Sequence, residues 1–393
     1  MDLNGAVGKR RGRQGMIWIA IRMLTGDGQK FYGLVFGIAF STLLITQQLT
    51  IFVNLLERGS SGVWNVPSAD VWVMDPVSRT TDVAFPLPST ALDQVRGVPG
   101  VEWAVPHLRA TASVRTSDGD LEGVSIIGVD DATLIGLPRG MTVGTPDVLS
   151  QTDSVIIDDV GATRMFPEGE SPIDQRLELN DQRAVIRGVA DAIPSFTSQV
   201  TLYTKYSQAL RYVPGTRNRL SFVLVGAADG ITGPQLAQRI AAETGLRARP
   251  REDFASDGIN FIVENTGIPL NFRITVALGF IVGVAIVGLT FSLFIRDNLK
   301  QFGALKAIGV TNGKIRRMVA AQAGLVGLIG YGLGVLGTVA FIWSFSAEPT
   351  FKGFYIPWQI PLISLAAVTI ILAFTGRIAL RRVLKTEPAA VFR

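Results

Sequence analysis

Cysteine is absent from the 393 residues, and histidine occurs once, at His107. Disulfides, thiolate metal sites and cysteine nucleophiles are thereby excluded. A metal centre or a serine-histidine-aspartate triad would have to rest on a single imidazole. Charge is scarce as well: Asp, Glu, Lys and Arg make up 18% of the chain, against 48% hydrophobic residues. The shortage is local, because the windows 31–56, 274–295, 318–347 and 353–376 contain no charged residue at all. Each can cross ~30 Å of hydrocarbon, which takes about 20 helical residues. With no ionisable group inside them, these spans do not suit a proton- or ion-coupled carrier. There is no phosphate-binding loop either. Gly313-Lys314 comes nearest, but it lacks the glycine five residues earlier and is followed by Ile315 instead of Ser or Thr. No finger spacing or aromatic and basic module points to nucleic acid.

The charges that are present sit asymmetrically. Segments 1–30, 296–317 and 377–393 hold 17 basic residues against 4 acidic ones, leaving 20 and 28 for the remainder. By the positive-inside rule those three segments are cytoplasmic, so the net charge of +5 reports topology. The expected fold is an integral membrane α-helical protein of the inner (plasma) membrane, with four transmembrane helices and a large α+β extracytoplasmic domain between the first and second. In order, a cytoplasmic segment 1–30 with an interfacial helix over 16–24 leads to a first span, 31–56. The extracytoplasmic domain fills 57–273. Span 274–295, a cytoplasmic loop 296–317, span 318–345, a short outer loop 346–356, span 357–376 and a cytoplasmic tail 377–393 follow. The basic run 9–13 before the first apolar stretch invites a signal-peptide reading, but that stretch is too long and no small-x-small site follows it.

Within the large domain, strands are expected at 69–74, 110–116, 124–129, 154–157, 184–189 and 220–225, where β-branched residues are bounded by Gly, Pro or Asp. Helices are expected at 89–95, behind a serine cap, and at 233–243, with Pro234 in the first turn. His107 reads as a packed or solvated histidine, and the pairs Asp130-Asp131 and Asp158-Asp159 as turn residues at strand ends. No catalytic residue and no metal site is expected. In the first span Gln47, Gln48, Thr50 and Asn54 crowd the outer half, and polar side chains rarely face lipid. They are candidates for interhelical hydrogen bonds, a dimer seam or a gate. The pairs Gly33/Gly37, Gly279/Gly283 and Gly330/Gly334 have the GxxxG spacing that permits close helix approach.

Between the second and third spans lies the stretch richest in functional suggestion, 296–317. Leu299, Phe302, Leu305 and Ile308 recur every three residues as an apolar stripe, with Gly303 on its flank and Lys300 and Lys306 on the wet side. Gly309 is placed to stop the helix, and Thr311 or Asn312 to cap the next one. The second span could run on as one rod to a bend near Gly303 or Gly309. A short amphipathic helix between spans suits a groove on a cytosolic partner, or the lipid interface itself.

The layout and the run Leu305-Lys306-Ala307-Ile308-Gly309-Val310-Thr311 resemble the permease subunits of FtsX/MacB-like (type VII) ABC systems, where a similar motif forms the coupling helix. Further likeness is to DevC-type exporter permeases. It lies in Gly37-Ile38-Ala39-Phe40 with Gln48-Leu49, Ala69-Asp70-Val71-Trp72-Val73, Gly279-Phe280-Ile281-Val282-Gly283 and Glu387-Pro388-Ala389-Ala390-Val391-Phe392. The resemblance implies a homodimer without enzymatic activity of its own, paired with a cytoplasmic ABC ATPase subunit that binds ATP and Mg, and set among membrane lipid. It also implies a periplasmic membrane-fusion adaptor and an outer-membrane channel. On that footing Phe302, Gly303, Leu305, Lys306, Ile308 and Gly309 would couple to the ATPase, and the output would be export of a lipid, glycolipid or hydrophobic small molecule by mechanotransmission. An FtsX-like transducer acting on a periplasmic hydrolase and a Lol-like lipoprotein extractor are the alternatives.

Overall fold

The computed structural model describes residues 16, 18–115, 121–166, 170–195, 200–216, 219–346, 348 and 351–385. The segment 1–15 and the Glu387 to Phe392 motif lie outside them. The helices are α1 (18–25), α2 (Gly28–Arg58), α3 (Ser61–Trp64), α4 (Thr90–Arg96), α5 (Asp159–Met165), α6 (Tyr206–Tyr212), α7 (Gly233–Thr244), α8 (Arg251–Asn265), α9 (Ile268–Asp297), α10 (Leu299–Ala307), α11 (Asn312–Phe345) and α12 (Gln359–Lys385). Four of them, α2, α9, α11 and α12, are long and apolar enough to cross a membrane. The chain divides into two units: Met1–Phe52 with Leu270–Ser344 and Tyr355–Arg393, and Val53–Pro269 with Phe345–Phe354.

In the first unit the apolar spans pack through glycine, because helices surrounded by lipid gain little from the hydrophobic effect and gain most from close approach. A Cβ on Gly37 would lie 2.6 Å from Ile286 Cγ2, and one on Gly33 3.4 Å from Thr290 Cγ2, so this face of α2 lies against α9. Gly279 and Gly283 receive Leu44 and Ser41 of α2 in return. On another face of α2, Gly330 meets Val35 and Ile38, and Gly334 meets Ala39 and Thr42. Thus α2 touches both α9 and α11. Hydroxyls in these helices donate to their own carbonyls four residues back, Ser41 to Gly37 at 2.9 Å and Thr42 to Ile38 at 2.8 Å, as polar groups away from water must. The amphipathic α1 completes the unit. Ala20 and Leu24 are buried, Trp18 is exposed with Arg22 over its ring, and the Gln322 side chain of α11 donates to the Ala20 carbonyl at 2.8 Å.

In the second unit the strands are β1 (Val71–Met74), β2 (Leu87–Pro88), β3 (Val101–Arg115), β4 (Leu121–Val129), β5 (Gly140–Val143), β6 (Ser154–Asp158), β7 (Arg176–Leu179), β8 (Gln182–Asp191), β9 (Thr201–Lys205), β10 (Arg219–Leu220), β11 (Phe222–Ala227) and β12 (Arg247–Pro250). Ten of them form one mixed sheet ordered β12-β1-β11-β3-β4-β9-β6-β8-β5, with β7 against β3 and β8. The long strand β3 joins two lobes. Its first half pairs with β11 from Val101 to His107, and its second half with β4 from Leu108 to Arg115. One lobe buries Val71, Val73, Leu220 and Val223 under α4 and α7, and the other buries Val124, Ile126, Val155 and Ile186 near α6.

Several expectations need correction. The strand foreseen at 110–116 begins nine residues earlier, at Val101. Pro106 lies inside it opposite Val223, a position where proline usually argues against a strand. Ser89 makes no side-chain cap on α4, whereas Thr232 and Gln235 form a full capping box on α7. The helix α8 is not among the expected helices, and its Gly258 meets the backbone of Gly59. Finally, the rod from the second span breaks at Asn298, short of Gly303.

The packing makes a direct test. Gly334→Ala puts a methyl 2.6 Å from the Ala39 carbonyl and against Thr42, an overpacking that typically costs ~1–3 kcal/mol. Gly324→Ala, with nothing within 4 Å, should stay within about 0.5 kcal/mol of wild type or gain slightly from helix propensity. Thermal unfolding in mild detergent should therefore fall by several degrees for the first variant alone.

Candidate functional site

The hairpin α9–α10–α11 is built by two local devices. At its entry Asn298 leaves helical geometry, with φ −93° and ψ 10°, and its side-chain amide donates to the Phe294 carbonyl at 2.8 Å. The same carbonyl also accepts from the Asn298 N–H at 3.2 Å, so backbone and side chain of Asn298 are both tied to the last turn of α9 where the chain turns into α10. At its exit Gly309 takes φ +95°, a left-handed conformation that suits glycine. Its N–H donates to the Lys306 carbonyl at 2.9 Å, and the Val310 N–H donates to the Leu305 carbonyl at 3.0 Å. Those two bonds are the Schellman pair, and Leu305 and Val310 pack against the bundle core as the motif's usual apolar contact.

This geometry splits the apolar stripe. A step of three residues turns an α-helix by about 300°, so positions 299 and 308 end on opposite faces. Phe302 is 1% exposed, within the buried cluster that holds Leu24, Phe294 and Ile315, while Ile308 is 82% exposed. Gly303 is buried as well, Leu305 and Lys306 are half-buried, and Gly309 is exposed. Phe302 and Gly303 consequently seat the hairpin and present nothing to a partner, contrary to the docking expectation. The outward face is Ile308 with Ala307 and Gly309, flanked by the exposed Lys300 and Lys314. Two fixings that sequence reasoning missed lie in the same unit. Lys30 bridges Asp27 and Asp297, the latter at 2.6 Å, and Gln322 holds α1.

The polar group of the first span also divides. Thr50 is fully buried and donates to the Thr46 carbonyl at 2.7 Å, and Asn54 is buried too, so neither lies on an open seam. Gln47 and Gln48 are half-buried and remain on the available side.

In the sheet domain the titratable groups singled out from sequence are engaged with their own surroundings. His107 is buried edge-on to Trp72, with ring centroids 5.5 Å apart, and burial followed by the nearby Arg109 charge pushes its pKa down to about 3. A neutral imidazole in an aromatic cage is no general base at neutral pH. Burial pushes Asp158 up to about 7, opposed by the Thr201 N–H that donates to it at 2.7 Å. Burial raises Tyr203 as well, and pushes Tyr212 up to about 12. Asp130 accepts from the Thr133 N–H and hydroxyl within its own turn, and Asp131 from the Ser207 N–H. No group of three or more His, Cys, Asp or Glu able to hold a metal occurs among the described residues. Asp159 pairs with Lys352 from the stretch between α11 and α12. Arg58 donates to the Lys352 carbonyl at 3.0 Å and lies over the Phe354 ring, so that stretch is fastened to the sheet domain.

Two family models match the chain: the FtsX-like permease C-terminal over residues 273–388, and the MacB-like periplasmic core domain over residues 32–243. The second alone spans more than half of the sequence. The chain belongs to the MacB-like, FtsX-type permeases. This MacB-like permease is similar to the macrolide export ATP-binding/permease protein MacB of Sodalis glossinidius, at 25% identity over 77% of this chain and 48% of that protein. Against the MacB of Agrobacterium fabrum the figures are 24%, 85% and 51%. Against the probable syringafactin export protein SyfD of Pseudomonas syringae they are 22%, 75% and 44%. The chain spans about half the length of the curated relatives it matches. Among solved structures, the periplasmic region of MacB from Actinobacillus actinomycetemcomitans is similar at 15% identity, over 51% of this chain and 97% of its own, with a TM-score of 0.35. Within the hairpin, α10, α11 and α9 from residue 273 onward lie inside the FtsX-like match.

The split stripe yields opposite expectations for two neighbouring apolar residues of this permease. Phe302→Ala should destabilise the bundle by ~3–5 kcal/mol, the range for a buried phenylalanine. Ile308→Asp should leave the unfolding temperature within error, since the surface position has no packing to lose. Thermal unfolding of the two purified variants beside wild type checks both; equal losses would contradict the assigned faces.

Proposed function

We propose that this MacB-like permease is the membrane half of an ABC exporter, driven by an ATP-hydrolysing subunit that docks on Ile308 and its neighbours. The carrying observation is the hairpin. A bulky apolar side chain stands in water at the tip of a helix whose opposite side is locked into the bundle. An exposed apolar anchor on a hairpin that also exposes Lys300 and Lys314 is what a partner groove with a polar rim takes. ATP binding is sought outside these 393 residues, which hold no phosphate-binding loop; the matched relatives, about twice as long, are named ATP-binding/permease proteins.

In this reading closure of the nucleotide-binding subunits pushes on α10, and the motion passes along α9 and α11. Those helices have 30 and 34 residues, hence about 45 and 51 Å at 1.5 Å per residue. The basic flanks put the hairpin and both termini in the cytoplasm and the sheet domain outside. With charge-free spans and no polar file of ionisable groups, the cargo is expelled from the outer side and need not thread a pore. A hydrophobic or amphipathic small molecule is the cargo class, as in the macrolide and syringafactin exporters. A homodimer of this chain, with a periplasmic adaptor and an outer-membrane channel beyond it, completes the assembly; Gln47 and Gln48 are the residues on α2 left for the dimer seam or gate. The resemblance to DevC-type exporters would imply the same arrangement.

Co-purification from mild detergent tests the docking. Wild type should bring down a subunit that hydrolyses ATP, and Ile308→Asp should lower its recovery by roughly tenfold or more, as loss of a central anchor does. Lys205→Gln, in the sheet domain, should change nothing. Undiminished recovery with Ile308→Asp would remove the docking assignment.

A further inference from the structure

Between α11 and α12 lies an open groove of about 780 Å³. Its floor and walls are Gly324, Gly327, Leu328, Tyr331, Leu365 and Leu372, all uncharged, and one end is formed by Arg316 of α11 with Arg377 and Arg381 of α12. Among the described residues no acidic one lines it. From Arg316 to Tyr331 the groove runs about 22 Å along α11, at 1.5 Å per residue. That is longer than the ~15 Å one leaflet contributes to a ~30 Å hydrocarbon core. At the far end the Tyr331 hydroxyl donates to the Pro361 carbonyl at 2.9 Å and ties α11 to α12.

We propose that this groove is a binding site for one anionic phospholipid of the cytoplasmic leaflet, with its phosphate on Arg316, Arg377 and Arg381 and an acyl chain lying over Gly324 and Gly327. Charge complementarity selects the occupant. Three guanidinium groups around an apolar trough match a phosphodiester followed by hydrocarbon, since each can hold phosphate through two parallel N–H donors. Basic pockets between transmembrane helices on the cytoplasmic side are where acidic headgroups bind. A partner helix would need acidic residues at one end to satisfy the arginines. Gly324 leaves the trough open, because a Cβ there would meet nothing within 4 Å, whereas Gly327 already sits against Leu372. The site differs from the hairpin tip: the docking face is Ile308, and the lipid groove adjoins the roots of α11 and α12. Occupied, it would tie the spans to a particular lipid composition.

The test uses the purified full chain in nanodiscs of dioleoyl phosphatidylglycerol or dioleoyl phosphatidylcholine, with lipids retained on release counted by native mass spectrometry. Wild type should keep one phosphatidylglycerol in preference to phosphatidylcholine. Arg377→Gln should weaken that retention about fivefold, and the double variant with Arg381→Gln further, at ~1 kcal/mol per arginine near the surface. Gly324→Leu, which fills the trough without touching the arginines or the packed helices, should lower retention while leaving the unfolding temperature unchanged. Equal retention of the two lipids, or phosphatidylglycerol kept by both the arginine and the Gly324→Leu variants, would overturn the proposal. So would Gly324→Cys, the sole cysteine of that chain, forming an interchain disulfide in native membranes, because the groove would then hold a second copy.

Discussion

The seating of Phe302 in the bundle core is the constraint on which the rest depends. An isolated helix of nine residues does not hold its shape in water, since nucleation is unfavourable and short helices gain too little from their own hydrogen bonds. What holds α10 is tertiary: Phe302 inside, Leu305 and Val310 against the same core, Asn298 closing the entry and Gly309 the exit. Since those five positions are fixed, Ile308 is fixed as well, pointing the other way. A knob carried on a floppy loop would absorb a push; one carried on a buried phenylalanine would, on the proposed function, pass it into α9 and α11.

The bundle obeys the same logic on a larger scale. With no water to take up backbone groups, the spans are helices throughout, and with no hydrophobic gain between them they depend on glycines that let α2 approach α9 and α11. Rigid contact of this kind transmits displacement, because close-packed interiors yield little. In the sheet domain the Lys352 to Asp159 pair and the Arg58 contacts fasten the residues between α11 and α12 in place. Being partly exposed, such pairs contribute little stability each, and their use is positional.

Layout was legible from sequence because the bilayer imposes it: charge-free windows of 22 or more residues admit no reading as ordinary loops, and all four coincide with long helices. Strands rich in Val and Ile were legible for the same kind of reason, as burial on a pleated face leaves a compositional mark. The first half of β3 was hidden by Pro106, which forgoes a ladder hydrogen bond and breaks the pattern from which strands are read. At the hairpin, spacing gave the apolar residues but not their faces. Four residues at intervals of three wrap half-way round a helix, and only the helix's anchoring shows that Phe302 is the seat and Ile308 the knob. In the first span, polar spacing located Thr50 and Asn54 without revealing that both are buried. Long-range fixings such as Gln322 to Ala20 leave no trace in local pattern at all.

If the chain carries motion from a cytosolic ATPase to the sheet domain, nucleotide must be felt far from where it binds. An environment-sensitive fluorophore on a cysteine introduced at Val143, an exposed residue of the sheet domain in a chain otherwise free of cysteine, reads this directly in the reconstituted complex. Its emission should shift when a non-hydrolysable ATP analogue is added, and the shift should vanish with Ile308→Asp. An identical spectrum with and without the analogue, in a complex whose ATPase is demonstrably bound, would contradict transmission through this chain.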